Sequence, residues 1–262
     1  VAWRKAKKEG TTLDILDIDF DSVPVSINLD LTTSCNYRCD HCVDKDILNT
    51  GIRFEDHKLE DSIKLMAKKG LKSVIVIGGG EPTVHPKFVS IMRLMKSLNL
   101  SLGLVTNGGN LGRVLEIADC LDENDWVRLS LDSGKNDTFR IMHKPRTAIT
   151  LEEICTFIPL IKEKNSKFKI GFSFIVVWDN CEANSTSIHE NIKEMEMAAK
   201  LAKINKFDYI SYKPFLTRAD VNNAEVVELT KEEQHIKIVM NQIRKNINKA
   251  KEFEGEGFKV IE

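Results

Sequence analysis

A parallel α/β sheet, curved into a barrel or partial barrel, is the architecture this sequence predicts. Three observations carry that expectation. Short β-branched, apolar runs recur at residues 25–31, 74–77, 102–106, 126–131, 170–177 and 209–212. Stretches of helical periodicity fill the gaps, and a strand–helix–strand order imposes parallel pairing through right-handed crossovers. The residues richest in chemistry fall at the C-terminal ends of the runs, where such folds place their sites.

The first run alternates Val25, Ile27, Leu29 and Leu31 with Ser26, Asn28 and Asp30, the period of a half-buried strand. Leu59, Ile63 and Met66 mark a helix that Gly70 stops as a C-terminal cap. Phe88, Ile91, Met92, Met95 and Leu98 form the stripe of the next. Val114, Leu115, Ile117 and Ala118 lead to Cys120 in a third. Thr150 and Glu153 read as a capping box, opening a helix with Ile154, Cys155, Phe157 and Ile158. Thr230 and Glu233 read as another, before a final helix striped by Ile236, Val239, Met240, Ile243, Ile247 and Ala250. The ending Phe258-Lys-Val-Ile-Glu262 reads as a strand cut short, which predicts further sequence beyond it. Residues 1–23 are expected as an N-terminal extension and 24–225 as the core. Residues 226–262 are expected as a C-terminal helix and the start of an extension.

Lys and Arg number 38 against 39 Asp and Glu. That balance gives no support for a nucleic-acid surface, which needs a basic stripe. No run of apolar residues has the length of a membrane span. The basic start, Val1 to Lys8, has no apolar stretch after it and does not read as a signal peptide. At 262 residues the chain can bury a sizeable core as one domain.

Cys35, Cys39 and Cys42 stand at C-x3-C-x2-C spacing directly after the first strand. Thiolates at that spacing converge on one small metal centre. Structural zinc usually takes four protein ligands; three suit a [4Fe-4S] cluster with one iron open to a ligand. Cys120, Cys155 and Cys181 are scattered and read as small buried hydrophobes rather than as ligands of an auxiliary cluster. His57, His85, His143, His189 and His235 share no ligand spacing and read as surface or helix-end residues.

With these cysteines, three further stretches resemble the radical S-adenosylmethionine (radical SAM) superfamily, in that family's order. Gly78-Gly79-Gly80-Glu81-Pro82 is similar to its G-G-E-P motif, Val105-Thr106-Asn107-Gly108 to its T-N-G, and Leu129-Ser130-Leu131-Asp132 to its S-L-D. The resemblance spans residues 25–215 and implies an open, partial (β/α)6 TIM-type barrel. It implies that Cys35, Cys39 and Cys42 hold a [4Fe-4S] cluster at which S-adenosylmethionine (SAM) is reductively cleaved to a 5′-deoxyadenosyl radical. His41, where the family usually has an aromatic residue, would pack on the adenine. Gly79, Gly80 and Glu81 would meet the methionine end, with Glu81 accepting from its ammonium.

Ser130, Asn107 and Asp132 would suit the ribose hydroxyls and carboxylate of SAM. Asn107 has a second reading, as the holder of a turn with Gly108-Gly109. Arg140 would face the SAM carboxylate or lie on a solvated helix face; Lys213 would face substrate or a carboxylate, or be a surface lysine. The resemblance also implies an external reductant such as flavodoxin or ferredoxin, a reducing, cytoplasmic setting, and a peptide or small-molecule substrate. Its branch includes molybdopterin-precursor synthases and peptide maturases, which often carry cysteine-rich C-terminal extensions; no such cluster of cysteines occurs here. A non-catalytic iron–sulfur or zinc protein, acting as electron carrier or scaffold, is the rival class. Glu81, Asn107 and Ser130 argue against it, since a carrier needs no SAM pocket.

Overall fold

The computed structural model describes residues 23–52, 55–183, 186–218, 225–226 and 233–262. The extension expected over residues 1–23, apart from Val23, and Thr230 of the second capping box lie outside the described residues.

Seven parallel strands form one sheet in strictly sequential order: β1 (Ser26–Leu29), β2 (Ser73–Val76), β3 (Ser101–Thr106), β4 (Trp126–Ser130), β5 (Lys169–Val176), β6 (Tyr209–Pro214) and β7 (Lys259–Ile261). Each strand pairs only with its neighbours in sequence, so β1 and β7 are the two edges of an open, partial barrel. The helices are α1 (Asp56–Lys69), α2 (Phe88–Ser97), α3 (Leu111–Ile117), α4 (Asn136–His143), α5 (Leu151–Lys164), α6 (Met195–Ile204) and α7 (Glu233–Lys251). Short antiparallel hairpins join Glu182–Ala183 to Thr186–Ser187 and Thr217–Arg218 to Glu225–Val226.

The six expected strands are all present, and the count is corrected to seven. The closing residues pair as β7 with β6, Lys259 opposite Tyr209 and Ile261 opposite Ser211. α7 seats on α6 through Val239, Ile247 and Ala250, with Lys249 on Glu196 at 2.9 Å; Met240 leaves the expected stripe and is exposed.

Period-2 alternation divides every strand between two environments. Val74, Val76, Leu102, Leu104, Val127, Leu129, Ile170, Phe172, Phe174 and Ile210 point to the helices and are fully buried. They meet Ile63, Ile91, Met95, Val114, Ile154, Ile158 and Ala198 in one core. Local signals agree with this packing. Gly70 caps α1 at a φ of 117°. Glu153 N donates to Thr150 Oγ1 at 3.1 Å while Thr150 N donates to Glu153 Oε2 at 2.8 Å, so the first capping box closes. The other side of the strands carries Asn28, Ile75, Val105, Arg128, Ser130, Ser173, Ser211 and Lys213, and it lines the inside of the partial barrel.

Candidate functional site

The three cysteines occupy a loop that leaves the C-terminal end of β1. Its base is pressed onto the end of β2. A Cβ on Gly79, whose φ is +65°, would stand 2.8 Å from the Thr32 carbonyl oxygen, and one on Gly80 would stand 2.2 Å from that of Ser34. Glycine is therefore required there by the cysteine loop itself. Glu81 N donates to Ser34 O at 2.9 Å, and Cys35 N to Asn49 Oδ1 at 3.1 Å, so the loop is tied at both ends.

Glu81 is almost fully buried, and its carboxylate is already engaged. Oε1 accepts from Thr83 N at 3.0 Å, Thr83 Oγ1 at 2.6 Å and Thr106 Oγ1 at 2.6 Å; Oε2 accepts from Asn107 N at 2.7 Å. Burial pushes its carboxyl up, against these four donors. Glu81, expected to accept from the SAM ammonium, clamps the β2 turn to the end of β3, and Oε2, with a single donor, is the oxygen with capacity to spare. Asn107 fills its second reading and one more role. Its Oδ1 accepts from Gly109 N at 2.8 Å, holding the turn, while its Nδ2 donates to Asn36 Oδ1 at 2.8 Å and lies 3.8 Å from Cys35 Sγ.

The thiols are electrostatic neighbours. Burial raises Cys35 above its ordinary value, and Glu81 and Cys42 add to it, against hydrogen bonds from Tyr37 N and Asn107. Burial raises Cys39 further, with Cys42 and Cys35 next. A single tetrahedral Zn2+ would hold thiolates about 3.8 Å apart, given a Zn–S distance of about 2.3 Å. Among the described residues the one set of three metal-ligating atoms drawn within 4.8 Å of one another is Cys39, His41 and His143, not the three cysteines. The Cys35, Cys39 and Cys42 thiols are near enough to act on one another's charge without all meeting at one tetrahedral point, and an all-thiolate donor set suits iron.

His143 was not foreseen as a site residue. It and His85, read as surface or helix-end residues, do lie at helix ends but are buried, 2% and 1% exposed. His143 Nδ1 lies 3.3 Å from Cys39 Sγ, and its Nε2 lies 3.1 Å from Leu131 O and 3.3 Å from Asp132 Oδ2. Asp132 also faces His41 Nε2 at 3.4 Å and accepts from Ile175 N at 2.6 Å. Burial alone would raise Asp132, but the two imidazoles outweigh it and hold its carboxyl well below the usual carboxylate range. Its φ of +50° is rare for a residue with a side chain, and Asn191 Nδ2 anchors its carbonyl at 2.7 Å. Asp132, expected on SAM, faces the rings of His41 and His143 beside Cys39. No local spacing could have shown this, since His143 lies 104 residues after Cys39.

Ser130 is half-buried at the end of β4, on the inner face. Arg140 is exposed, while Phe139, Met142 and His143 of the same helix turn inward; it is not brought to the site. His41 lines a cleft of about 390 Å3 with Asp40, Ile141, Met142, Asn180 and Ile188, and its buried Nδ1 has no hydrogen-bond partner among the described residues. Lys213 is exposed on β6. Cys155 and Cys181 are buried and Cys120 half-buried, on separate elements of the chain. Burial pushes Cys155 up to about 12, the value of an inert thiol.

Comparison with known proteins agrees with this geometry. The model of the radical SAM superfamily matches residues 29–202. The GTP 3',8-cyclase of Clostridium perfringens (strain SM101 / Type A) is 32% identical over 253 residues, 89% of this chain and 70% of that protein. The S-adenosylmethionine-dependent nucleotide dehydratase of Flammeovirga pacifica is 25% identical over 232 residues, 84% of this chain and 73% of its own. Streptococcus suis SuiB, solved bound to S-adenosylmethionine, superposes with a TM-score of 0.63 at 15% identity. That match covers 99% of this chain, which spans 53% of SuiB. No described helix is long and apolar enough to cross a membrane.

Proposed function

This chain belongs to the radical SAM superfamily, and from that premise we propose that it is an enzyme that reductively cleaves SAM at a [4Fe-4S] cluster and abstracts hydrogen from a nucleotide-like small molecule. One observation carries the reading: Cys35, Cys39 and Cys42 stand on one loop at the end of β1 as electrostatic neighbours, with Glu81 and Asn107 beside them. Cys35, Cys39 and Cys42 would hold the cluster. When bound, the cluster supplies the electron that breaks the bond from the SAM sulfonium to its 5′ carbon, leaving a 5′-deoxyadenosyl radical and methionine.

The chain's own groups prepare that step. Tyr37 N and Asn107 Nδ2 donate toward Cys35 Sγ, and the Asp132–His143 pair supports Cys39, contacts that orient ligands and stabilise their charge. The cleft beside His41 is the proposed place of the adenine, with the unpartnered Nδ1 available to it. Glu81 Oε2 and Ser130 are proposed at the methionine and ribose groups; Arg140 is given no part. The nucleotide-like substrate is supported by the names of the cyclase and dehydratase relatives. The reductant is proposed as an external flavodoxin or ferredoxin, and the setting as cytoplasmic.

The test is anaerobic reconstitution, dithionite reduction and chromatography for 5′-deoxyadenosine. SAM-dependent 5′-deoxyadenosine, absent in Cys39→Ala, supports the proposal; none from the reconstituted parent removes it. The Cys39–His41–His143 set favours one rival, a non-catalytic zinc or iron–sulfur protein. Electron paramagnetic resonance of the reduced protein separates them, since a spectrum unchanged by SAM belongs to the rival.

A further inference from the structure

The inner face of the partial barrel carries two cations, Arg128 deep and Lys213 near the mouth, to which the SAM reading above gives no part. Two glycines open the space around them. A Cβ on Gly103 would stand 2.3 Å from the Trp126 ring, and one on Gly171 would stand 2.1 Å from the Tyr209 ring. The two aromatic side chains therefore lie across neighbouring strands on the inner face. Arg128 sits between them, opposite Val105 on β3 and Gly171 on β5, with Tyr209 next in the same row. Its guanidinium stands over the Trp126 ring at 5.6 Å. Its Nε is buried and has no hydrogen-bond partner among the described residues, an arrangement that costs free energy until an acceptor arrives.

Two residues further up the strands, Ser130, Ser173 and Ser211 face one another in register. Two residues beyond Ser211, on the same face, comes Lys213. Partial burial, and then the Arg128 charge, hold its ammonium below the usual lysine range, so the two cations feel one another. Nearby carboxylates are committed elsewhere. Asp132 is held by Ile175 N, His41 and His143; Asp208, behind Tyr209, is held by Lys162 and by Ile170 N at 2.6 Å.

We propose that Arg128 and Lys213, with the Tyr209, Ser173 and Ser211 hydroxyls between them, form a subsite for the phosphate chain of the substrate. The spacing favours a chain of phosphates over a single carboxylate. Lys213 lies four residues up β6 from Arg128's row, about 13 Å of strand rise, and two strands across, about 10 Å. The guanidinium lies over Trp126, toward the deep end, so one carboxylate cannot meet both cations, whereas a chain of phosphates can lie along the hydroxyls between them. The aromatic-stacked guanidinium at the deep end offers a planar fork to a phosphoryl group. This subsite rests on the nucleotide reading above.

Calorimetric titration of the reconstituted parent, Arg128→Gln, Lys213→Gln and the double variant with inorganic tripolyphosphate, and separately with SAM, tests it. The parent is expected to bind tripolyphosphate, each single variant about tenfold or more weakly, and the double variant not measurably. SAM affinity is expected to hold within about twofold in all four. Lys213 is exposed, so its variant reports even where loss of Arg128 disturbs folding. No binding of tripolyphosphate to the parent overturns the subsite, as does equal binding to the double variant. A loss confined to SAM affinity overturns it too, by assigning the cations to the SAM carboxylate. The parent's 5′-deoxyadenosine yield separates these results from a failure of the radical reading itself.

Discussion

The two faces of the same seven strands differ in almost every physical respect. Toward the helices, Phe172, Phe174, Leu129 and Val127 are sealed in a continuous apolar core. Toward the inside, residues one step along the same strands are serines, Arg128 and Lys213, with a buried nitrogen lacking a partner. One face holds the fold together by removing apolar area from water. The other is left under-satisfied, as a surface built to receive a ligand. A single-residue shift along a strand therefore moves a substitution from a stability effect to a functional one.

That contrast can be broken in a graded way. Cys39→Ala should take SAM-dependent 5′-deoxyadenosine to background while the unfolding midpoint of the cluster-free protein changes little. A large loss of cluster-free stability would mean that the loop belongs to the core. Phe172→Ala, on the helix side and packed on Phe207 at 5.4 Å between centroids, should cost about 3–5 kcal/mol in urea unfolding. Its neighbour on the inner face, Ser173→Ala, should cost under about 1 kcal/mol; similar costs for both would erase the distinction between faces.

Glu81→Ala stands between the two regimes. It strands two backbone donors, Thr83 N and Asn107 N, at about 1–3 kcal/mol each, and it should weaken SAM binding as well. A variant with parental stability would show that the clamp between β2 and β3 is unimportant. His143→Ala should move the cluster potential about 40 mV more negative in a redox titration. That figure converts one hydrogen bond to sulfur of about 1 kcal/mol at one electron. Its basis is the ring's placement, Nδ1 3.3 Å from Cys39 Sγ and Nε2 3.1 Å from Leu131 O, where a ring protonated on both nitrogens donates to a Cys39 thiolate as well as to the carbonyl. An unchanged potential would leave His143 a packing residue. Arg140→Ala, finally, should change unfolding free energy by less than about 0.5 kcal/mol and SAM affinity by less than about twofold; a larger loss of affinity would return Arg140 to the site.

What the sequence disclosed follows from the range of each interaction. β-branched runs and helical stripes are local, so six strands, the Gly70 cap and the Thr150 capping box were legible. The cysteine loop was legible because its ligands lie within eight residues of sequence. His143 was not, because its contact with Cys39 spans 104 residues and its helix offers no motif. Glu81 was identified but its internal bonds were not, since they depend on how closely β2 and β3 approach. Arg128 did leave a trace: in Trp-Val-Arg-Leu-Ser, the polar residues fall on alternate positions of a run otherwise read as apolar.

The sequential winding of the sheet also sets an order of events during synthesis. The cysteines emerge with the first strand, but Asn107 follows Cys35 by 72 residues and His143 follows Cys39 by 104. At ribosomal rates of about 5–20 residues per second, the loop waits about 5–20 s before its last supporting side chain exists. For that interval the three thiols follow a nascent edge strand with the local Tyr37 N but without Asn107 and His143. The contacts around the cysteines are complete only once β4 and α4 have docked, so the growth of the barrel, not the appearance of the three thiols, times the assembly of the site.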